Sequence, residues 1–235
     1  MVGSIGPAGA VALRILQRGS WTRTPAKELS LLEIARHGLP WPGNPKEVNV
    51  WRLRNFPNLW RGLWRALTAR IFGLANFYGA LSLVKIRKDG TIIDYGLASF
   101  RSVTDTGVGY IVDAFQPATS IELENMKFHG VGTGTNAEST ANTSLQTEES
   151  TQYNPDNTRP TGTTTEGASA NIYRTVATYS PDSGGTRAIT EHGIFSQAAT
   201  GGGVLLDRSV FSAVNLVAGS DSLQATYDLT FTSGG

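Results

Sequence analysis

Histidines, paired carboxylates and a glycine-rich segment are the parts of this sequence that could carry chemistry. The three histidines, His37, His129 and His192, are far apart along the chain. A zinc site needs three or four donors that converge, so we interpret these histidines as ordinary polar residues. The chain has no cysteine, which excludes thiolate ligands and disulfides. We expect no bound metal.

The pairs Glu122/Glu124 and Glu148/Glu149 are the candidates for acid–base catalysis. Such catalysis requires carboxyl groups that face each other across a cleft, and sequence spacing does not indicate one here. The chain also lacks the Gly-x-Ser-x-Gly pattern that places a nucleophilic serine on a sharp turn. The sequence therefore favours a protein that is not an enzyme and binds no cofactor.

Gly130 to Ala137 reads GVGTGTNA and superficially resembles a phosphate-binding loop. It lacks the Gly-Lys-Ser/Thr ending whose lysine reaches the phosphates. We interpret its glycines as positions where the backbone turns through positive φ.

Most of the chain after residue 80 has the pattern of short strands. Leu223 to Phe231 alternates between apolar and polar residues, which is typical of a strand with one buried face. Val204 to Val214 alternates less regularly and predicts a bulge or an edge strand. Asp89-Gly90 between two strand-like runs predicts a hairpin. Thr106 to Phe115 predicts a short helix that is capped by Thr104 or Thr106 and turns Tyr110, Ile111, Ala114 and Phe115 inward.

Seven to nine strands with frequent turn signals predict the fold class. We expect a mainly β protein, an antiparallel β-sandwich of jelly-roll-like form, with an N-terminal α-helical arm and one short internal helix.

Charge divides the chain unevenly, although its net charge is only +1. Residues 1–80 contain 11 Lys/Arg against 3 Asp/Glu, whereas residues 81–235 contain 9 against 16. All five tryptophans lie in the first part. We predict a poorly defined N-terminal extension over residues 1–47, a basic, Trp-rich amphipathic helical arm over 48–80, and a β-sandwich body over 81–235.

The clearest helical pattern covers residues 58–78, with Asn58 after Pro57 as its expected cap. Its apolar residues follow a 4-3-4-3-4 spacing, the seam of a short coiled coil. The stripe and its flanking residues form the predicted assembly interface: Trp60, Arg61, Leu63, Trp64, Arg65, Leu67, Ile71, Leu74 and Tyr78.

Other roles for this helix remain open. It could pack on its own β domain, associate with copies of itself, or dock on a larger assembly. Tryptophan beside arginine also suits a membrane surface, but no other part of the chain supports membrane binding. Because the arm lacks Lys/Arg clusters, we expect no nucleic-acid partner.

Six motifs follow one another in residues 104–235. They are the helix Thr104–Phe115, the loop Phe128–Thr135 (FHGVGTGT), Leu145–Glu148 (LQTE), Ile189–Phe195 (ITEHGIF), Leu205–Phe211 (LLDRSVF) and Asp221–Phe231 (DSLQATYDLTF). Their order resembles that of a group of bacteriophage virion structural proteins. The resemblance covers somewhat over half the chain and excludes the arm.

This resemblance implies a β-sandwich that is displayed on a virus particle and is not an enzyme. We expect a capsid decoration, cement or head-fibre protein, attached through its arm to major capsid or tail proteins. The head is favoured because the body has no long fibrous repeat. We expect a homo-oligomer, of which a trimer is one form, located in the virion. The lack of disulfides fits assembly in the host bacterial cytoplasm.

The alternative is a tail or receptor-binding virion protein that binds a host glycan. Tyr153, Tyr173 and Tyr179 could then stack on sugars, with Asn136 to Gly167 as binding loops. These tyrosines could instead fill the core.

Overall fold

The structure is a computed structural model that describes residues 38–71, 77–116, 121–153, 155–167 and 169–231. The predicted N-terminal extension therefore lies outside the described residues up to residue 37. Leu74 of the predicted interface also lies outside them. Leu67 and Ile71 belong to a helix whose backbone is described at these positions without their side chains.

Within these ranges eight strands form two antiparallel sheets. The strands are β1 (Phe77–Ile86), β2 (Ile92–Ser102), β3 (Phe128–Gly132), β4 (Thr163–Glu166), β5 (Ile172–Tyr179), β6 (Thr186–Phe195), β7 (Leu205–Val217) and β8 (Ser222–Phe231). The larger sheet has the order β2-β1-β8-β5-β4 and the smaller one β3-β6-β7. The helices are α1 (Lys46–Ile71) and α2 (Asp105–Asp113). A mainly β fold with an N-terminal helix and a short internal helix is thus confirmed.

Strand β8 lies in the middle of the larger sheet, between β1 and β5. Its predicted apolar side is buried from Leu223 to Leu229, whereas Phe231 at its end is partly exposed. The first and last strands of the described residues, β1 and β8, are therefore neighbours, in register from Phe77 opposite Phe231. The predicted hairpin joins β1 to β2, with Gly90 at a φ of 80° in its turn. A side chain is disfavoured at this φ, which explains glycine here.

Strand β7 is irregular, as its weak alternation predicts. It is an edge of the smaller sheet, and its pairing with β6 shifts register between Ile189 and Glu191. Its first residues, Leu205–Phe211, are buried on both faces. A strand covered on both sides does not need strict alternation.

The predicted helix boundaries of the arm are wrong. α1, described over Lys46–Ile71, begins well before Pro57 and contains it in its interior, so Asn58 does not cap the helix. Tyr78 lies in β1, and the predicted division at residue 80 falls inside that strand. The first turns are helical despite Pro57 because Val48 and Trp51 belong to the core. Tertiary packing here outweighs the donor that proline removes.

The short helix α2 agrees with its prediction at the N-terminus. Thr104 Oγ1 accepts a hydrogen bond from Gly107 N at 3.0 Å, which is the expected cap. Tyr110 and Ile111 face inward as predicted. Phe115 does not: it follows the helix and is 80% exposed.

Candidate assembly surface

Helix α1 lies between the free edges of the two sheets, β2 of the larger and β7 of the smaller. Asn55 links them, because its Nδ2 donates to Ala98 O on β2 at 2.7 Å and its Oδ1 accepts from Ser212 N on β7 at 2.9 Å. Trp51 Nε1 also donates to Ser212 O, at 2.7 Å. Side chains of α1 thus form hydrogen bonds with backbone groups at the edges of both sheets. Without these bonds, the same backbone groups could pair with a strand of another chain.

The inner face of α1 is packed tightly against β2. Leu59 and Leu63 join Tyr78, Leu97 and Phe100 in a hydrophobic cluster. Gly62 lies so close to Phe100 that an added Cβ would overlap its carbonyl oxygen. Arg52, beside them, donates from Nε to Tyr95 O at 3.0 Å. This face fixes the helix rigidly on the body.

The outer face of α1 carries a row of exposed apolar side chains, which are Leu53, Phe56, Trp60 and Trp64. Trp60 and Trp64 are 53% and 55% exposed. The rings of Phe56, Trp60 and Trp64 stack along the helix, with centroid separations of 5.9 and 6.3 Å. Large aromatic side chains that remain exposed on a rigid element are typical of interaction surfaces.

Positive charge surrounds this row. α1 contains six Lys/Arg and one Asp/Glu, and Arg54, Arg61 and Arg65 are exposed. Burial lowers the pKa of the neighbouring Arg101 guanidinium to about 10, and the positive charges of Arg65 and Arg61 act in the same direction. The surface is therefore both apolar and basic. We call it the α1 surface and define it by Leu53, Phe56, Trp60, Arg61, Trp64 and Arg65.

The structure divides the predicted interface residues. Trp60, Arg61, Trp64 and Arg65 lie together on the α1 surface. Leu63 and Tyr78 do not, because both are buried in the hydrophobic cluster beneath the helix. Tyr78 stacks on Phe100 with ring centroids 5.6 Å apart. Both residues are therefore covered within the chain itself.

Sequence reasoning missed Leu53 and Phe56, because it began the helix after Pro57. The sequence does contain a signal for these two residues: positions 53, 56, 60 and 64 continue the same apolar stripe toward the N-terminus.

A buried polar network around Glu191 brings four of the sequence motifs together. The Glu191 carboxylate accepts hydrogen bonds from the backbone N–H groups of Gly134, Gln146 and Thr147 at 2.8 to 3.0 Å. Arg208 donates to it from Nε at 2.8 Å. Glu191 is fully buried. These residues come from the FHGVGTGT, LQTE, ITEHGIF and LLDRSVF motifs, so the motifs hold the fold together at this point.

The interpretation of Gly130, Gly132 and Gly134 as positive-φ positions is wrong. None of them has a positive φ. A Cβ at Gly134 would lie 2.5 Å from a Glu191 carboxylate oxygen, and one at Gly130 would lie 2.7 Å from the Phe195 ring. These glycines are needed because other groups approach the backbone closely.

His129 and His192 meet in the core, although they are 63 residues apart. His129 Nδ1 lies 2.9 Å from His192 Nε2, and His129 Nε2 lies 3.0 Å from Thr175 Oγ1. Burial lowers the pKa of His192 to about 3 and holds that of His129 well below its ordinary value. Both rings are therefore neutral at pH 7. Among the described residues, no group of three or more His, Cys, Asp or Glu side chains could hold a metal ion.

The adjacent carboxylates Glu148 and Glu149 each form an ion pair. Arg159 donates to both Glu148 oxygens, at 2.5 and 2.8 Å, and its guanidinium lies 3.5 Å above the Phe195 ring. Glu149 pairs with Arg187. Neither carboxylate faces the other across a cleft, and both tie loop segments to the sandwich.

The tyrosines considered for sugar stacking are placed in or near the core. Tyr153 and Tyr179 are buried and contact each other edge to face at 5.4 Å. Tyr173 is partly buried, and its hydroxyl donates to Met126 O at 2.8 Å. An open depression of about 550 Å³ beside β4 and β5 includes Tyr173, Asn171 and Glu166 in its lining.

No protein-family model matches the chain, and no curated protein matches its sequence. Across the described ranges, neither helix combines the length and apolar character needed to cross a membrane.

Proposed function

We propose that this chain is a structural protein of a bacteriophage virion, of the capsid decoration, cement or head-fibre kind, held in place through the α1 surface. The carrying observation is the stacked row of Phe56, Trp60 and Trp64 on a helix whose opposite face is locked to the body. Tryptophan and arginine are the residues that most often dominate binding energy in protein interfaces.

Rigid presentation strengthens this proposal. Asn55 and Trp51 connect α1 to both sheets, so the outer row is already ordered before a partner arrives. A preordered surface loses less conformational entropy on binding than a flexible arm does. The chain thus offers an attachment surface that is part of its sandwich.

The motif network supports a structural role for the body. The network residues bond to one another within the fold: the Glu191 carboxylate accepts hydrogen bonds from Gly134 N and from Arg208 Nε. Because these four motifs meet in one buried network, they specify the architecture of the body. The resemblance to virion proteins rests on the same motifs. The body is accordingly a scaffold that carries the α1 surface to its place on the particle.

Locating the chain on purified particles tests this function. Immunogold labelling and a particle reconstruction should find it in many copies on the head, with α1 facing neighbouring protein. Its absence from purified particles, combined with its recovery as free protein in the lysate, would overturn the proposal.

A tail or receptor-binding role with a host glycan is the second candidate. Burial of Tyr153 and Tyr179 removes two of its three stacking residues. The observation that favours it is the depression beside β4 and β5, whose lining includes Tyr173, Asn171 and Glu166. Specific binding on a glycan array that is lost on Tyr173→Ala would support this role, and labelling on the tail would replace the head assignment.

A further inference from the structure

A second group of exposed apolar side chains lies at helix α2. Val108, Val112 and Phe115 are exposed at positions i, i+4 and i+7, and Leu123 is exposed in the short 3₁₀ turn Leu123–Asn125. The Tyr110 hydroxyl donates to Glu122 O at 3.0 Å, so this turn lies beside α2. We call the row Val108, Val112 and Phe115, together with the neighbouring turn Leu123–Asn125, the α2 surface.

The α2 surface is acidic. Asp105 of α2 and Glu122 and Glu124 of the neighbouring turn are exposed. Lys127, which is partly buried, is the single Lys or Arg between Arg101 and Arg159. The α2 surface thus combines apolar groups with negative charge, whereas the α1 surface combines apolar groups with positive charge.

We propose that the α1 surface of one copy binds the α2 surface of a second copy of this chain. The inference rests on the proposed function and names the partner of its attachment surface. In this contact, Trp60 and Trp64 of one copy lie against Val112 and Phe115 of the second copy. Arg61 and Arg65 lie beside the acidic side chains of the second copy's α2 surface. Both the apolar match and the charge match point to this pairing.

Pairing of two α1 surfaces fits the charges less well. Each α1 contains six Lys/Arg against one Asp/Glu, so two such helices placed side by side repel each other. The same argument opposes pairing of two α2 surfaces. Because each chain carries both an α1 surface and an α2 surface of the opposite charge, their pairing instead gives a head-to-tail contact. Such a contact closes into a ring when the rotation between copies permits it. A trimer is one such ring.

Two double variants and a matched control test the contact on the full chain. Trp60→Glu/Trp64→Glu disrupts the α1 surface, and Val112→Lys/Phe115→Lys disrupts the α2 surface. The control, Ile92→Lys/Val217→Lys, changes two side chains that are also exposed, at 38% and 46%, but lie outside both surfaces. Circular dichroism and thermal unfolding establish that each variant folds, and analytical ultracentrifugation gives its mass.

We expect the wild type and the control to be oligomers and each surface variant to be a monomer. An equimolar mixture of the two surface variants should form a dimer and nothing larger, because one intact α1 surface can still meet one intact α2 surface. A monomeric wild type, or an α2-surface variant that keeps the wild-type mass, would overturn the inference. The proposed function fails separately, when the wild type is absent from purified particles.

Discussion

Glu191 and Arg208 form a buried ion pair between neighbouring strands, with Arg208 Nε donating to Glu191 Oε2 at 2.8 Å. Three backbone N–H groups donate to the same carboxylate. A buried charge needs this many partners, because each lost one leaves a desolvated group unpaired. The pair therefore fixes the segment 133–147 on the smaller sheet.

Replacing Glu191 tests this role. Glu191→Gln leaves Arg208 as an unpaired buried charge, and we expect it to lower the free energy of unfolding by about 3–5 kcal/mol. Urea unfolding measures the change. The control is Glu47→Gln in the exposed Glu47–Arg87 pair, where we expect a change of less than about 1 kcal/mol. Equal effects of the two substitutions would contradict the assignment.

Two glycines of α2 give a second test within one helix. A Cβ at Gly107 would lie 2.8 Å from Leu206 O, whereas one at Gly109 would have no neighbour within 4 Å. We expect Gly107→Ala to destabilise the protein by about 1–3 kcal/mol through overpacking. Gly109→Ala should instead stabilise it by about 0.5–1 kcal/mol, since alanine favours the helix. Thermal unfolding compares the two, and a stabilising Gly107→Ala would show that α2 does not approach β7 this closely.

The strands were largely predictable from sequence because their signals are local. The Asp89-Gly90 turn and the alternation of Leu223–Leu229 each occupy a few consecutive residues, and both agree with the structure. The start of α1 was not predictable in this way. Pro57 is a strong local signal for a helix start, and it is outweighed by contacts of Trp51 and Asn55 with strands that follow far along the chain.

The candidate surface was predictable only in part, because local periodicity identifies a stripe but not what it faces. Periodicity identified Trp60 and Trp64 as one stripe, but it could not tell whether a stripe faces the body or the solvent. Leu63, one position before Trp64, is buried, and Tyr78 belongs to a strand. Which side of an amphipathic helix meets its own sheets depends on the three-dimensional position of β2 and β7.

Acid should destabilise the protein through the His129–His192 pair. Burial lowers both pKa values, to about 3 for His192, so the unfolded chain binds protons below pH 6.5 that the folded chain does not. Stability is then fully present above pH 6.5 and falls as the pH decreases. We expect His129→Gln/His192→Gln to flatten the dependence of the unfolding free energy on pH between 6.5 and 4.5, as measured by urea unfolding at each pH. An unchanged slope would show that the pair does not resist protonation.

Asp207 should have the opposite pH dependence. Its burial raises the pKa to about 6, while Ser209 Oγ donates to its Oδ1 at 3.1 Å. The folded chain therefore binds a proton more tightly than the unfolded chain, and stability is lost as the pH rises through 6.

The variant Asp207→Asn removes this loss and keeps an oxygen that can accept from Ser209. A shift from 3.8 to about 6 corresponds to about 3 kcal/mol, so Asp207→Asn should be more stable than the wild type above pH 6 by up to that amount. The advantage should vanish below about pH 4. If Asp207→Asn is still more stable than the wild type at low pH, the gain in stability comes from packing and not from the removal of a buried charge.

The copy number of variant protein on purified particles tests the attachment role of α1 most directly. Trp60→Ser/Trp64→Ser changes two exposed side chains, so the thermal midpoint should stay close to that of the wild type. Quantitative mass spectrometry of purified particles should then show at least about a tenfold loss of the variant, the loss expected for removal of about 1.4 kcal/mol or more of binding energy. Incorporation of the variant at the wild-type copy number would contradict the account.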